Sequence, residues 1–262
     1  MHEVIKKLPQ IFIDNKKPEK PIVFVHGFNS SYQVHQNFYE NYHENDYYSI
    51  SLPGNNLLEA TNEQLNVYYY AKLIATFIES KNLKNVILMG HSMGGGIIAL
   101  AYQLIPQLID RMIFIAPMNK TSLSLKKVFF RDYFPQNFEG EKNFMKNLFY
   151  NPTFLEDVDY LIKARKNFNF NLYNNKNIWK LGKSLPNINL MNDIEKGLNQ
   201  IKVKTLLILG QKDGIINRDD AKEYFEKNVE NIEVKIMPKT GHLMFKENID
   251  GYIEIIDNFL KN

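Results

Sequence analysis

Five residues, Gly90-His91-Ser92-Met93-Gly94, constrain the fold more than any other stretch of the chain. An apolar run, Asn85 to Met89, leads into them, and a helical-looking stretch, Gly95 to Tyr102, follows. The pattern reads as a strand, a sharp turn with a serine at its apex, and a helix. A serine placed this way sits in strained backbone with its oxygen exposed. The turn closes only where no side chain crowds it, and Gly90 and Gly94, two residues to either side of Ser92, meet that demand. The arrangement points to a nucleophile.

The same alternation of strand and helix signals runs through the chain. Pro21 to Val25 is a continuous apolar run, as expected of a strand buried on both faces. Ile11 to Ile13 is a short strand candidate. Tyr47 to Leu52 is another, stopped by Pro53-Gly54. Ser31 to Asn45 between them reads as a helix. Thr61 to Ser80 has a helical period that places Leu65, Tyr68, Tyr69, Lys72, Leu73, Thr76 and Phe77 on one largely apolar face, with Thr61 or Asn62 as its cap. The helix after Ser92 is expected to stop at Pro106, and Arg111 to Pro117 is the next strand. The rhythm then breaks: residues 119 to about 200 are dense in Phe, Tyr, Asn and Lys, with only short helical patterns. It resumes with a strand at Thr205–Gly210, a helix near Asp219–Asn228, a strand at Glu233–Met237 and an amphipathic helix over Glu247–Leu260. The expected fold class is α/β, a mostly parallel central sheet with helices on both faces. Residues 1–118 and 201–262 form its core, and residues 119–200 form an inserted helical cap.

Composition removes several classes of function. The formal net charge is +3, and no basic run is interleaved with aromatics, so no nucleic-acid partner is expected. There is no cysteine, which excludes disulfides and thiolate chemistry. His2, His35 and His43 form no metal-ligand spacing with acids, so neither a metal nor another cofactor is expected. The start has no apolar segment of signal-peptide length and no stretch approaches the ~20 apolar residues of a membrane span. A cytoplasmic location is the simplest expectation.

A serine hydroxyl needs a base within hydrogen-bond reach, and the base needs an orienting carboxylate. In open parallel sheets such groups collect at the carboxyl ends of strands. Asp213 follows the Thr205–Gly210 strand, and His242 follows the Glu233–Met237 strand. Asp193, Asp219 and Asp220 are fallback acids. His26-Gly27-Phe28-Asn29 follows the Pro21–Val25 strand, where a glycine-containing loop aims a backbone N–H at a developing oxyanion. Phe28 is the expected first donor and Met93, the residue after the serine, the second. Phe28 and His26 are expected to border the substrate, along with some residues of the cap. His26 is also expected to brace the loop backbone, and His91 to pack beside the serine turn.

These pieces resemble the α/β-hydrolase fold superfamily, in its serine esterase/lipase branch. The matching residues are His26-Gly27-Phe28, Ser51-Leu52-Pro53-Gly54, Gly90 to Gly94, Gly210-Gln211-Lys212-Asp213 and Gly241-His242, in family order over nearly the whole chain. The chain especially resembles small esterase/lipase-like proteins of AT-rich bacteria such as mycoplasmas. The chain departs from the family pattern at Ser51, at Asn55-Asn56 and at Asn217, positions that shape loops. The resemblance implies Ser92 as nucleophile, Asp213 as acid, His242 as base and a cap over the pocket. The expected partners are a small-molecule ester with an apolar acyl or aryl group, and water. The same triad also serves thioesters, lactones, monoacylglycerols or N-terminal peptides. A non-catalytic ligand-binding protein is the reading from a different class.

Overall fold

The computed structural model describes all 262 residues. Seven strands form one sheet: β1 Gln10–Ile13, β2 Ile22–Val25, β3 Tyr47–Ile50, β4 Val86–His91, β5 Ile109–Ile115, β6 Lys204–Gly210 and β7 Ile232–Met237. Their order is β1-β3-β2-β4-β5-β6-β7, parallel throughout except for β1, which runs antiparallel to β3. The inner strands β2 and β4 are buried at every position, and β6 at all but its first. That burial explains their unbroken apolar sequences, because both faces are covered.

Thirteen helices surround the sheet. In chain order they are α1 His2–Lys7, α2 Gln36–Tyr39, α3 Val67–Ser80, α4 Met93–Leu104, α5 Lys126–Asp132, α6 Phe138–Leu148 and α7 Val158–Asn167, then α8 Phe170–Asn174, α9 Lys176–Ser184, α10 Ile188–Gln200, α11 Arg218–Asn228, α12 Met244–Glu247 and α13 Ile249–Lys261. Helices α3, α4, α10 and α11 pack in succession on one face, while α2, α12 and α13 pack together on the other. No helix is long and apolar enough to cross a membrane.

Several boundaries differ from the sequence reading. Helix α3 starts at Val67, because Asn66 is the residue whose side chain takes the Tyr69 N–H, at 2.8 Å. Thr61 instead closes a capping box with Gln64 over a separate 3-10 turn. The helix expected over residues 31–45 is only a 3-10 turn, Tyr32–His35, followed by the single turn of α2. Burial of His35, Phe38, Tyr39 and Tyr42 fixes that segment against β3 and α13 and overrides a regular helix. The C-terminal helix is split into α12 and α13 at Asn248, whose side chain caps α13.

The insertion between β5 and β6 carries α5 to α10. Helix α10 packs on α4, with Gly197 against the Ala99 carbonyl and Ile194 beside Gly96. We propose that α10, although it lies within the 119–200 segment expected as the cap, belongs to the helix layer of the core. Aromatic rings knit the cap together: Phe134 stacks on Trp179 at 4.2 Å, and Phe149 meets Phe154 at 5.0 Å.

Candidate active site

Ser92 lies at the carboxyl end of β4 and is the residue before α4. Its φ of 55° and ψ of −121° lie in backbone space that side chains other than glycine rarely occupy. Neighbouring strands pin it there. The Ser92 N–H donates to the Ile115 carbonyl at 3.0 Å, and the Ser92 carbonyl accepts from Met118 at 2.8 Å and from Gly95 at 2.9 Å. A Cβ on Gly94 would lie 2.1 Å from the Val25 carbonyl oxygen, and one on Gly90 would lie 2.5 Å from the Gly94 oxygen. Only glycine allows either approach.

Asp213 follows β6 and His242 follows β7, as the strand-end rule anticipates. The Asp213 Oδ1 accepts the N–H groups of Ile215 and Ile216 at 2.7 and 3.0 Å. Its Oδ2 faces His242 Nδ1 at 2.8 Å, with both side chains almost fully buried. Three bonds thus fix the carboxylate, and the carboxylate fixes the imidazole. His242 Nε2 has no hydrogen-bond partner in the protein, and no Ser92–His242 hydrogen bond is formed. Serine–histidine contacts of this kind are often loose before substrate binds.

Of the fallback acids, none reaches His242. Asp193 binds Tyr68 and Lys196, Asp219 pairs with Arg218, and Asp220 sits in the first turn of α11 below its Asn217 cap.

The loop after β2 is braced by polar side chains. His26 is buried, with Nδ1 at 2.8 Å from the Gly27 carbonyl and Nε2 accepting the Leu52 N–H at 2.9 Å. Burial lowers its pKa to about 4, so it is neutral. Both ring nitrogens are spent on backbone, and His26 borders neither cavity described below. The expectation that it touches substrate is corrected; its role is to brace the loop. Asn29 and Asn55 continue the brace, the Asn29 N–H donating to Asn55 Oδ1 at 2.8 Å. The N–H groups of Phe28 and Met93 donate to no acceptor within the protein. His91 packs against His242 with ring centroids 4.7 Å apart, its Nε2 at 3.0 Å from the His242 carbonyl oxygen. Burial, helped by the neighbouring His242, lowers its pKa well below the ordinary value.

Two cavities meet at Ser92, and both are bordered by Phe28 and Tyr133. One is apolar, walled by Met93, Met118, Val128, Phe129, Met191 and Ile216. The other holds His242, His91, Asn29, Ser30, Tyr173 and Lys246. Of the cap aromatics, Phe129, Tyr133, Phe144 and Tyr173 border a cavity, while Phe130 and Phe134 stack toward Trp179.

Two residues of the site, Asn147 and Glu247, leave no clear mark in the sequence, and a third, Tyr133, is legible there only as one of the cap aromatics. Tyr133 reaches down from the end of α5 to stand beside the Ser92 hydroxyl; burial pushes its pKa up, and that hydroxyl opposes the shift. Asn147, at the end of α6, accepts the Gly214 N–H at 3.0 Å, while its neighbour Leu148 accepts the His242 N–H at 2.7 Å. Glu247 takes the Gly241 N–H at 2.5 Å with one oxygen and the Tyr150 N–H at 2.7 Å with the other. The cap is thereby tied to the loops that carry Asp213 and His242. A carboxylate five residues after His242 is the one sequence signal for Glu247, and in the sequence it reads as the start of the last helix.

Comparison with known proteins identifies the fold. Residues 20–249 match the family model described as alpha/beta hydrolase fold. The chain is 30% identical over 94% of its length to "Putative esterase/lipase 2" of Mycoplasma genitalium, and the match covers 92% of that protein. It is 27% identical over 98% of its length to "Putative esterase/lipase 3" of the same organism, covering 93% of that protein. Among solved structures, an esterase from Exiguobacterium antarcticum superposes with a TM-score of 0.78 at 18% identity, over 97% of this chain and 96% of that one. At that identity the likeness speaks for the fold alone.

Proposed function

We propose, from the premise that the chain belongs to the alpha/beta hydrolase fold family, that it is a serine-dependent hydrolase of carboxylic esters with an apolar acyl or aryl group. The observation that carries the reading is His242, held through Nδ1 by Asp213, with its Nε2 unpartnered in the cavity that also contains Ser92.

In the first half-reaction Ser92 Oγ attacks the acyl carbon while His242 Nε2 takes its proton. Asp213 holds the tautomer that leaves Nε2 free and stabilises the imidazolium that forms. The N–H groups of Phe28 and Met93 stabilise the oxyanion, a contribution worth about 100- to 1000-fold in rate per donor. His242 then protonates the departing oxygen. In the second half-reaction it activates water, which releases the acid from Ser92. The test is turnover of a short-chain aryl ester by the purified protein. Hydrolysis well above the buffer rate is expected; none above buffer, from folded protein, overturns the reading.

Glu247 enters as a positioning residue, since it touches the backbone on either side of the site and no reacting atom. Glu247→Ala leaves two N–H groups without their acceptor, one of them next to His242. Misplacement of a catalytic group by about 1 Å can cost about 100-fold in rate. The expected outcome is a fall in kcat of about 10- to 100-fold with little change in KM. Glu247→Gln, which keeps the acceptor oxygen for one bond, should recover most of it. Steady-state kinetics on the three proteins check this, and equal kcat values would remove Glu247 from the account.

A further inference from the structure

The position of His242 assigns a direction to the substrate. This inference rests on the ester-hydrolase reading. The Ser92 Oγ–acyl bond forms, the bond from the acyl carbon to the leaving oxygen breaks, and the Ser92 proton passes through His242 to that oxygen. The leaving group must therefore lie on the side of His242. Only one of the two cavities at Ser92 contains His242, the one with Asn29, Ser30, Tyr173 and Lys246. The acyl chain is left with the apolar cavity of Met93, Met118 and Phe129.

The two cavities differ in size, and each is bordered by one lysine, Lys126 in the apolar cavity and Lys246 in the one that holds His242. The apolar one has a volume of about 60 Å³, against about 270 Å³ for the other. One water-sized group needs about 10–15 Å³ of such room. The apolar cavity thus suits a short acyl chain of about four or five heavy atoms. In the larger cavity Lys246 is the one lysine or arginine, and no aspartate or glutamate borders it. Lys246 forms no ion pair, so its ammonium is free to meet an anion in this cavity. It keeps contact with solvent, and partial burial lowers its pKa. The nearby carboxylates are already engaged: Glu247 by two backbone N–H groups, and Glu141 by the Tyr173 hydroxyl at 2.6 Å. His91 and His242 bring no negative charge.

We propose that the preferred substrate is a short-chain acyl ester whose leaving group carries an anion, a carboxylate or a phosphate, and that Lys246 reads that anion. The ammonium would lie at the far side of the leaving group from Ser92, where it selects among esters without taking part in bond exchange.

The experiment compares phenyl acetate with 4-acetoxybenzoate, on the wild type, Lys246→Met and Lys246→Glu. The readout is the ratio of kcat/KM for the anionic ester over the neutral one, which cancels any loss of folded protein. The ratio is expected to fall about tenfold in Lys246→Met and further in Lys246→Glu, and to shrink in the wild type as salt is raised. A parallel series of neutral phenyl esters should show kcat/KM falling once the acyl chain passes about six carbons. A ratio that is the same in all three proteins overturns the role of Lys246. Equal rates for acetyl and decanoyl esters overturn the assignment of the acyl cavity. Failure of the wild type to cleave even phenyl acetate would instead overturn the ester-hydrolase reading on which both rest.

Discussion

Ser92→Ala is expected to lower kcat on a short aryl ester by about 10⁴- to 10⁶-fold while leaving KM within a few-fold of the wild type. Members of a serine triad act as a unit, so removing the nucleophile removes all of the rate that depends on the others. Any residue of turnover comes from binding and from the oxyanion donors, which the substitution spares. The two cavities keep their walls, because alanine lacks only the hydroxyl. The backbone of Ser92 is held by bonds to Ile115, Met118 and Gly95 that do not involve its side chain. The variant should therefore fold, and its denaturation midpoint should match the wild type. Steady-state kinetics and a denaturant melt on the same preparation separate lost chemistry from lost structure. A variant that folds and turns over at the wild-type rate would leave the serine without a role.

The second large effect is on stability. Three histidines, His26, His35 and His91, are fully buried or nearly so. His35 lies between the hydroxyls of Tyr47 and Tyr252, 3.0 Å from each. Burial lowers the pKa of His26 to about 4, and that of His35 and His91 well below the ordinary 6.5. The sign follows from linkage. Below pH 6.5 the unfolded chain takes up protons that the folded protein refuses, so stability is complete above that pH and is lost as pH falls from 6.5 toward 4. Each histidine gives a slope of up to about 1.4 kcal/mol per pH unit. Together they remove up to about 5 kcal/mol between pH 6.5 and 5, against a total of about 5–15 kcal/mol for a typical domain. Few carboxylates titrate in that interval, so it isolates the histidines. Urea melts at pH 7.5, 6 and 5 should show the midpoint dropping steeply, with His35→Gln reducing the slope by about a third. A midpoint that is level across this range would contradict the account.

The legible parts of the fold were those whose sequence is set by burial on both faces. β2, β4 and β6 read as strands because no polar residue interrupts them where helices cover the sheet. Ser92 and Asp213 stand out because each lies just past such a strand, and His242 because it follows the edge strand β7, at the carboxyl ends where topology brings distant segments together. What lay hidden depends on contacts between segments. The Asn66 cap competes with Thr61, and only packing decides where α3 begins. Helix α10 carries Leu190, Met191, Ile194 and Leu198 toward the core, yet its asparagines and its place after an irregular stretch made it look like part of the cap. Tyr133, Asn147 and Glu247 act on residues far away in sequence or through backbone groups, which leave no trace in composition or period.

The cap is therefore not a loose cover. The carbonyls of Asn147 and Leu148 accept N–H groups from the loops of Asp213 and His242, and the Tyr150 N–H donates to Glu247. Departures from the family pattern sit in the same kind of contact. Ser51 accepts the Tyr32 N–H, Asn55 accepts that of Asn29, and Asn217 caps α11.

The central claim is that Ser92 is an activated nucleophile, and covalent capture tests it most directly. The protein would be incubated with a fluorophosphonate and digested, and the modified peptide identified by mass spectrometry. One phosphonyl group per chain is expected, on the peptide that holds Ser92, with labelling slowed strongly in His242→Ala. Folded wild-type protein that takes up no label, or takes it on another residue, would contradict the account.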